Sequence, residues 1–354
     1  MPALRIALIA SARFAIKEPF AGGLEAHTWA LARGLARRGH EVTVFAGAGC
    51  DPELGACEFT AARLRISAAA RADVSMVAQA WLEEHHAYLQ LMLELGERAR
   101  ASFDVVHNNC LHHLPVALAR LVPVPVITTL HTPPTPWLES AIQAGHSPVV
   151  FTAVSAHTAH AWQHAVPGAR VIHNGVDLTR WPPGPGGGPP VWSGRLVPEK
   201  GADLAIRAAR MAGMPLDLAG PVGDREYFTT RIKPLLGQDV RYHGHLRHAE
   251  LAALVGSASV CLLTPRWDEP YGLVAAEALA SGTPVCGFAR GALPEILNGQ
   301  CSVLTAPDDV RQLAQAIPAA ARLPREQARA HAAAYCSQDQ MIDSYQALYQ
   351  ELAA

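Results

Sequence analysis

The sequence is short of several things at once, and each shortage removes a class of function. Lys and Arg number 29 against 31 Asp and Glu, so no bulk charge recruits nucleic acid or an anionic membrane. No apolar run is long enough to span a bilayer. The seven cysteines include no Cys-x-x-Cys pair, and the 17 histidines include no His-Glu-x-x-His, so no metal spacing is present. Cys261 and Cys286 sit inside strand-like runs, where a free thiol behaves as a small hydrophobe. With an odd cysteine count, this composition suggests a reducing, cytoplasmic setting. The apolar start, Met1 to Ala10, is short and lacks a basic leader, so it reads as a first buried strand rather than a signal peptide. Gly-x-Gly-x-x-Gly is missing, which argues against a dinucleotide oxidoreductase. Asp-x-Asp is missing as well.

What is present is a compact chain, half hydrophobic and 17% charged, with 354 residues to fill two cores. Strand and helix signals alternate along it, the pattern of parallel α/β sheets. Leu4 to Ala10 reads as a strand. Ala21-Gly22-Gly23-Leu24-Glu25-Ala26-His27 opens a helix through Arg38, and Glu41 to Phe45 is a second strand. A weaker strand is expected near Arg63 to Ile66. One or two long helices are expected over Asp73 to Arg100, with Trp81 and Tyr88 among their apolar residues. Further strands, Asp104–His107, Val124–Leu130 and Val149–Val154, each end on a polar cluster. These are His107-Asn108-Asn109, His131-Thr132-Pro133 and Ser155-Ala156-His157, at the end where open α/β sheets bind ligands. Residues 181–190 read WPPGPGGGPP, a composition that suggests a linker. A second α/β unit follows, with strands at Pro215–Ala219, Val240–Tyr242 and Ser259–Leu263.

The densest stretch is Arg266 to Ile296. After an apolar strand, Asp268-Glu269-Pro270 turns into an Ala-rich helix closed by Gly282. Tyr271-Gly272-Leu273 places backbone N–H groups at that helix N-terminus, which favours anions. Glu269 stands at the helix mouth and Glu277 further along. Amides beside carboxylates suit a ligand carrying both phosphates and hydroxyls. Upstream, Ser193-Gly194-Arg195-Leu196-Val197-Pro198-Glu199-Lys200-Gly201 supplies two cations near a strand end, a phosphate clamp that needs no metal.

These strings resemble the signatures of glycosyltransferase family 4, retaining enzymes of the GT-B fold. The likeness is dense from Arg195 to Ile296 and looser from Cys50 to Arg100. It includes Asn174-Gly175-Val176-Asp177 and the Gly-Gly-x-Glu-x-His loop. The implied architecture is α/β, two Rossmann-like doubly wound domains facing across a cleft. An acceptor-binding domain would span 1–180, the linker 181–190 and a nucleotide-sugar donor domain 191–338. A C-terminal helix, 339–354, would cross back to the first domain. The resemblance implies transfer from a nucleotide sugar, with a UDP-sugar favoured, to an unidentified acceptor, with no metal and no cofactor. Catalytic roles fall on His131, near the anomeric carbon, and on Arg195, Lys200 and Glu269. Donor contacts fall on Gly22, Gly23, His245, Leu246, Glu269, Tyr271, Gly272, Leu273, Val274 and Glu277, with Glu277 on the ribose and the segment at Gly244 reading the base. Apolar residues of 73–100 read either as core or as an acceptor or membrane-facing patch. Two other readings stay open: a non-catalytic nucleotide-sugar-binding protein, and a sugar phosphorylase or sucrose-synthase-like enzyme on the same fold.

Overall fold

The computed structural model describes residues 3–55, 57–58, 64–144 and 149–354. Seven parallel strands form the first sheet: β1 Arg5–Ile9, β2 Glu41–Ala46, β3 Cys57–Glu58, β4 Val105–Asn108, β5 Val126–Leu130, β6 Val149–Ala153 and β7 Arg170–Val171. Their order is β3-β2-β1-β4-β5-β6-β7. Six more form the second sheet: β8 Val191–Ser193, β9 Leu216–Ala219, β10 Val240–Tyr242, β11 Cys261–Leu263, β12 Val285–Phe288 and β13 Ser302–Thr305. Their order is β10-β9-β8-β11-β12-β13, again all parallel. Strands buried on both faces read as continuous apolar runs, which is why β1, β5 and β11 were visible in the sequence. Each sheet has an apolar cluster on either face, built around Ile6 and Tyr345 or Ile9 and Met92 in the first, and around Leu279 or Ile206 in the second. Two doubly wound Rossmann-like domains face each other across a cleft in the GT-B arrangement.

Several local expectations change. Residues 64–66, where a strand was expected, are irregular, and residue 63 lies outside the described residues; the edge strand is β3. The long helix is a single one, Gln79–Ser102. The Ala-rich helix begins only at Leu273, so Glu277 lies in its second turn. The 181–190 segment is not a loose tether. Its amides at Gly184, Gly186 and Gly188 donate to the carbonyls of Ser281, Gly256 and Ser257. A side chain at Gly184 would put Cβ 2.2 Å from the Gly256 carbonyl oxygen. Glycine here reports close backbone packing rather than flexibility.

The chain passes between domains twice, side by side. The Val176 amide donates to the Cys336 carbonyl at 2.8 Å, and the Gln338 amide donates to Val176 at 3.1 Å. The helix Gln338–Ala353 then lies on the first domain, burying Met341, Ile342, Tyr345, Leu348 and Tyr349. Among the described residues no helix is long and apolar enough to cross a membrane.

Candidate active site

In the second sheet the winding reverses between β8 and β11, whose following loops leave in opposite directions. Such switch points open a crevice at the carboxyl ends of the strands. A cavity of about 50 Å³ lies there, lined by Ser193, Gly194, Lys200, Thr264, Glu269 and Gly272, with Val274 deeper in. Lys200 Nζ donates to Glu269 Oε2 at 2.6 Å, and Trp267 Nε1 donates to the same oxygen at 3.0 Å. The ammonium also stands 4.9 Å over the Trp267 ring. Lys200 and Glu269 therefore neutralise each other in this structure. Trp267, which orients both, carries no sequence signal beyond its place in the Arg266–Ile296 string.

Arg195, on the turn after β8, is exposed and has no carboxylate partner among the described residues. Opposite it lies the helix N-terminus of the first domain. A Cβ built on Gly23 would sit 3.0 Å from Leu273 Cδ1, and one on Gly22 4.0 Å from Arg195 Nε. The glycines thus let the first domain's helix end meet the clamp across the cleft. His245 Nε2 donates to the Phe20 carbonyl at 3.0 Å, a second contact between the lips, and Leu246 is half-buried beside it. Glu25, one turn into the helix, is buried; burial raises its carboxyl above the usual range, and nearby backbone amides and Arg195 offset part of this.

Gly272 has φ of +97°, a left-handed conformation at the helix N-cap that a side chain would strain. The Tyr271 side chain is core, 2% exposed, which leaves its backbone amide as the group the sequence reading assigned to the ligand. Glu277 has no hydrogen-bond or cationic partner among the described residues, and burial pushes its carboxyl up to about 8. Near pH 7 it holds a proton.

That shift has a testable sign. The unfolded carboxyl titrates near 4.5 and the folded one near 8, so this group's contribution is largest in acid and is lost as pH rises through 8. Glu277→Gln removes the loss. Its melting temperature should exceed wild type by an amount that grows from pH 5 to pH 8, and saturating UDP should erase the gap by hydrogen-bonding the carboxylate. A difference independent of pH would contradict the assignment.

His131 follows β5. With the amide as placed, its Nε2–H donates to Asn109 Oδ1 at 3.0 Å. Its ring meets His27 edge-on at 4.9 Å between centroids. Burial, then His27 and His107, hold His131 well below its usual pKa; burial brings His27 down to about 4. Both imidazoles are neutral at pH 7. His27 and Asn109 thus gather beside His131 from separate strings, which spacing could not have united. His107 does not join it. It is fully buried, bonded to Tyr349 Oη at 2.6 Å and Thr129 Oγ1 at 2.7 Å, and serves the core. Ser155 and His157 belong instead to a domain contact. Ser155 Oγ donates to the Pro270 carbonyl at 2.6 Å, and the Ala156 and His157 amides donate to Glu295 at 2.8 and 3.0 Å.

A larger cavity, about 760 Å³, lies on the first domain beside Trp29. Most of its charges are already paired, Arg33 with Glu53, Arg37 with Asp177 and Arg180 with Glu18, and Lys17 is the lining cation outside these pairs. The small crevice lies at the switch point, beside a helix N-terminus and next to the turn that carries Arg195, and is the better ligand site despite its size.

Residues 21–180 match the family model for Glycosyltransferase Family 4, and residues 191–336 that for Glycosyl transferases group 1. A Mycobacterium tuberculosis protein named glycogen synthase is 33% identical over 365 residues, covering 87% of this chain and 86% of its own. A D-inositol 3-phosphate glycosyltransferase of Mycobacterium bovis is 34% identical over 187 residues, 46% of this chain and 39% of its own. Among solved structures, Anabaena Alr3699/HepE in complex with UDP and glucose superimposes with a TM-score of 0.76 at 18% identity, over 99% of this chain and 100% of that one. Sucrose-phosphate synthase from Thermosynechococcus elongatus does so with 0.76 at 21% identity, over 98% of both chains. The structural likenesses speak to fold alone, but the two family matches and the near full-length relative agree with the site geometry: the chain belongs to glycosyltransferase family 4, with a group 1 second domain, and is a glycosyltransferase.

Proposed function

We propose that the chain is a retaining, metal-independent glycosyltransferase that takes a UDP-sugar on its second domain and passes the sugar to an acceptor held by the first. The observation that carries this reading is the convergence at the β8–β11 switch point of an exposed guanidinium outside any salt bridge, a paired lysine and a half-buried, unpartnered carboxyl. With Lys200 and Glu269 cancelling and Glu277 protonated near pH 7, Arg195, whose charge also acts on buried Glu25, is the cation left facing the cleft. The helix N-termini at Gly23 and Leu273 add partial positive charge. That field suits a diphosphate. UDP is favoured because the Anabaena neighbours were solved with UDP and with UDP-glucose. A glucosyl donor is the first to test, because the full-length relative is named a glycogen synthase.

In this reading Arg195 and Lys200 hold the diphosphate, Glu277 accepts ribose hydroxyls, and Glu269 accepts hydroxyls of the donor sugar. Amides from Tyr271 to Val274 and at Gly22 and Gly23 complete the cradle, and Gly244 to Leu246 lie where the base would be read. The bond from the anomeric carbon to the diphosphate oxygen breaks, and one to the acceptor oxygen forms on the same face. The acceptor proton passes to the leaving diphosphate. The clamp offsets charge that grows on the leaving group, so its effect is greatest in the transition state. Neutral His131 can approach a sugar that is gaining positive charge without repelling it.

Thermal shifts with UDP, GDP, ADP and TDP, followed by donor hydrolysis, test the donor, and product NMR tests retention. Activity should survive EDTA unchanged. A loss under EDTA that returns with Mg²⁺ or Mn²⁺ would reject the cationic clamp as the charge-offsetting device.

A further inference from the structure

The first sheet has its own switch point, between β1 and β4. The loops that follow β1, β4 and β5 bring Arg13, His112, His113 and Trp137 toward the long helix that carries Trp81 and His85. The rings form a continuous shelf of stacked and tilted contacts. His85 stacks on Trp81 with centroids 5.3 Å apart and planes at 15°. His113 stacks on Trp137 at 5.1 Å and 23°, and His112 on His113 at 4.4 Å and 22°. Trp81 and Trp137 meet at 6.3 Å. Trp137 is 61% exposed, unusual for so large an apolar ring. Tyr88 anchors the shelf, its hydroxyl accepting from the Ala12 amide and donating to the Ala10 carbonyl beyond β1.

The shelf also has unspent polar atoms. His112 Nδ1 accepts from the Leu114 amide at 3.2 Å, which fixes the tautomer and leaves Nε2–H as a donor. That Nε2 and His85 Nδ1 are both buried without a hydrogen-bond partner. Buried unpaired polar atoms in a native protein call for a ligand or a water. His112 lies three residues beyond Asn109, the partner of His131, so the shelf adjoins the reaction centre.

Ligand nitrogens of His85, His112 and His113 lie within 4.8 Å of one another, which raises a metal as occupant. The ring geometry is against it. An imidazole binds a metal through an in-plane lone pair, and two rings stacked at 22° direct theirs side by side rather than at one point. Arg13 adds a cation whose charge already acts on His112. Flat rings with donors and acceptors at their edges suit the apolar face and rim hydroxyls of a pyranose instead.

We propose that the shelf of Trp81, His85, His112, His113 and Trp137 is the acceptor subsite, and that the acceptor it takes is a carbohydrate lying on the exposed ring of Trp137 with its hydroxyls on His112 Nε2–H and His85. This rests on the transferase reading above. The test is saturation-transfer NMR on the full chain with UDP present, using maltotriose and the methyl α-pyranosides of glucose, mannose and galactose as probes. UDP affinity is measured separately by calorimetry, so a failure to bind UDP counts against the donor reading and not against the shelf. Wild type should transfer saturation to the ring protons of at least one probe. Trp137→Ala should lower that transfer by at least about fivefold with UDP affinity unchanged, and Trp137→Phe should restore most of it. Equal transfer in Trp137→Ala, or none to any probe in wild type, overturns the proposal. So does a Zn²⁺ titration that raises the melting temperature of wild type but not of His112→Ala, which would assign the cluster to a metal.

Discussion

Arg195→Ala should lower kcat by about 10² to 10³ while the melting temperature stays within a degree or two of wild type. The range is that of removing one preorganised charge-stabilising group from a site where charge develops. Two features of the residue put it there. It is exposed and forms no salt bridge among the described residues, and its charge is only one of several offsets to the burial of Glu25, so its removal undoes little packing. It also faces the Gly22 end of the first domain's helix, at the point where the two domains approach. Lys200 cannot substitute, because Glu269 Oε2 holds it at 2.6 Å and Trp267 lies beneath it. Arg195→Lys should recover part of the loss, since it restores the charge but not the planar fork. Steady-state kinetics on the three proteins, with calorimetry of UDP binding, would decide. A kcat within threefold of wild type for Arg195→Ala would remove the residue from the clamp.

His131→Ala should cut kcat by at least about tenfold, roughly 1.4 kcal/mol of barrier, with UDP affinity near wild type. On the proposed function the effect falls on kcat, because the residue stands on the first domain, apart from the proposed nucleotide site, and would act as the sugar becomes cationic. Burial and the neighbouring imidazoles hold His131 well below its usual pKa. The activity profile should therefore show no limb near pH 6.5 from this group. A purely structural role predicts a different outcome. Loss of the bond to Asn109 and the edge contact with His27 would then lower the melting temperature and leave kcat per folded molecule unchanged. Measuring both on one preparation separates the two. The buried histidines carry a stability signature too. Unfolded histidine takes a proton near 6.5 while folded His27 resists until about 4, so this contribution is lost as pH falls from 6.5 toward 4.

The sequence alone determined those features whose cause is local. Apolar runs at 5–9, 126–130 and 261–263 announce strands buried on both faces, because such strands cannot alternate. Gly22-Gly23 and Gly272 mark helix starts that a ligand or a facing domain can approach. The offsets between Arg195 and Lys200, and between Glu269 and Glu277, were readable because each pair shares a short segment around one strand end. Strands β7 and β13 passed unseen; β7 is only two residues, and β13 has just Val303 and Leu304 as its apolar pair between Ser302 and Thr305. Only the tertiary structure decided which groups are spent and which are free. Lys200 and Glu269 are 69 residues apart yet form one ion pair, while Glu277 is left alone to titrate near 8. His107 and His131 end neighbouring strands in similar strings. One is taken into the core by Tyr349 from the C-terminal helix, and the other is turned to the cleft by Asn109. The Gly-rich 181–190 segment looked flexible, and it is packed flat because Gly256 and Ser257 leave no room for a side chain. The histidine and tryptophan shelf draws on the loops after β1, β4 and β5 and on the long helix. No window along the chain contains it, because strand order, not sequence distance, sets which loops meet at a switch point.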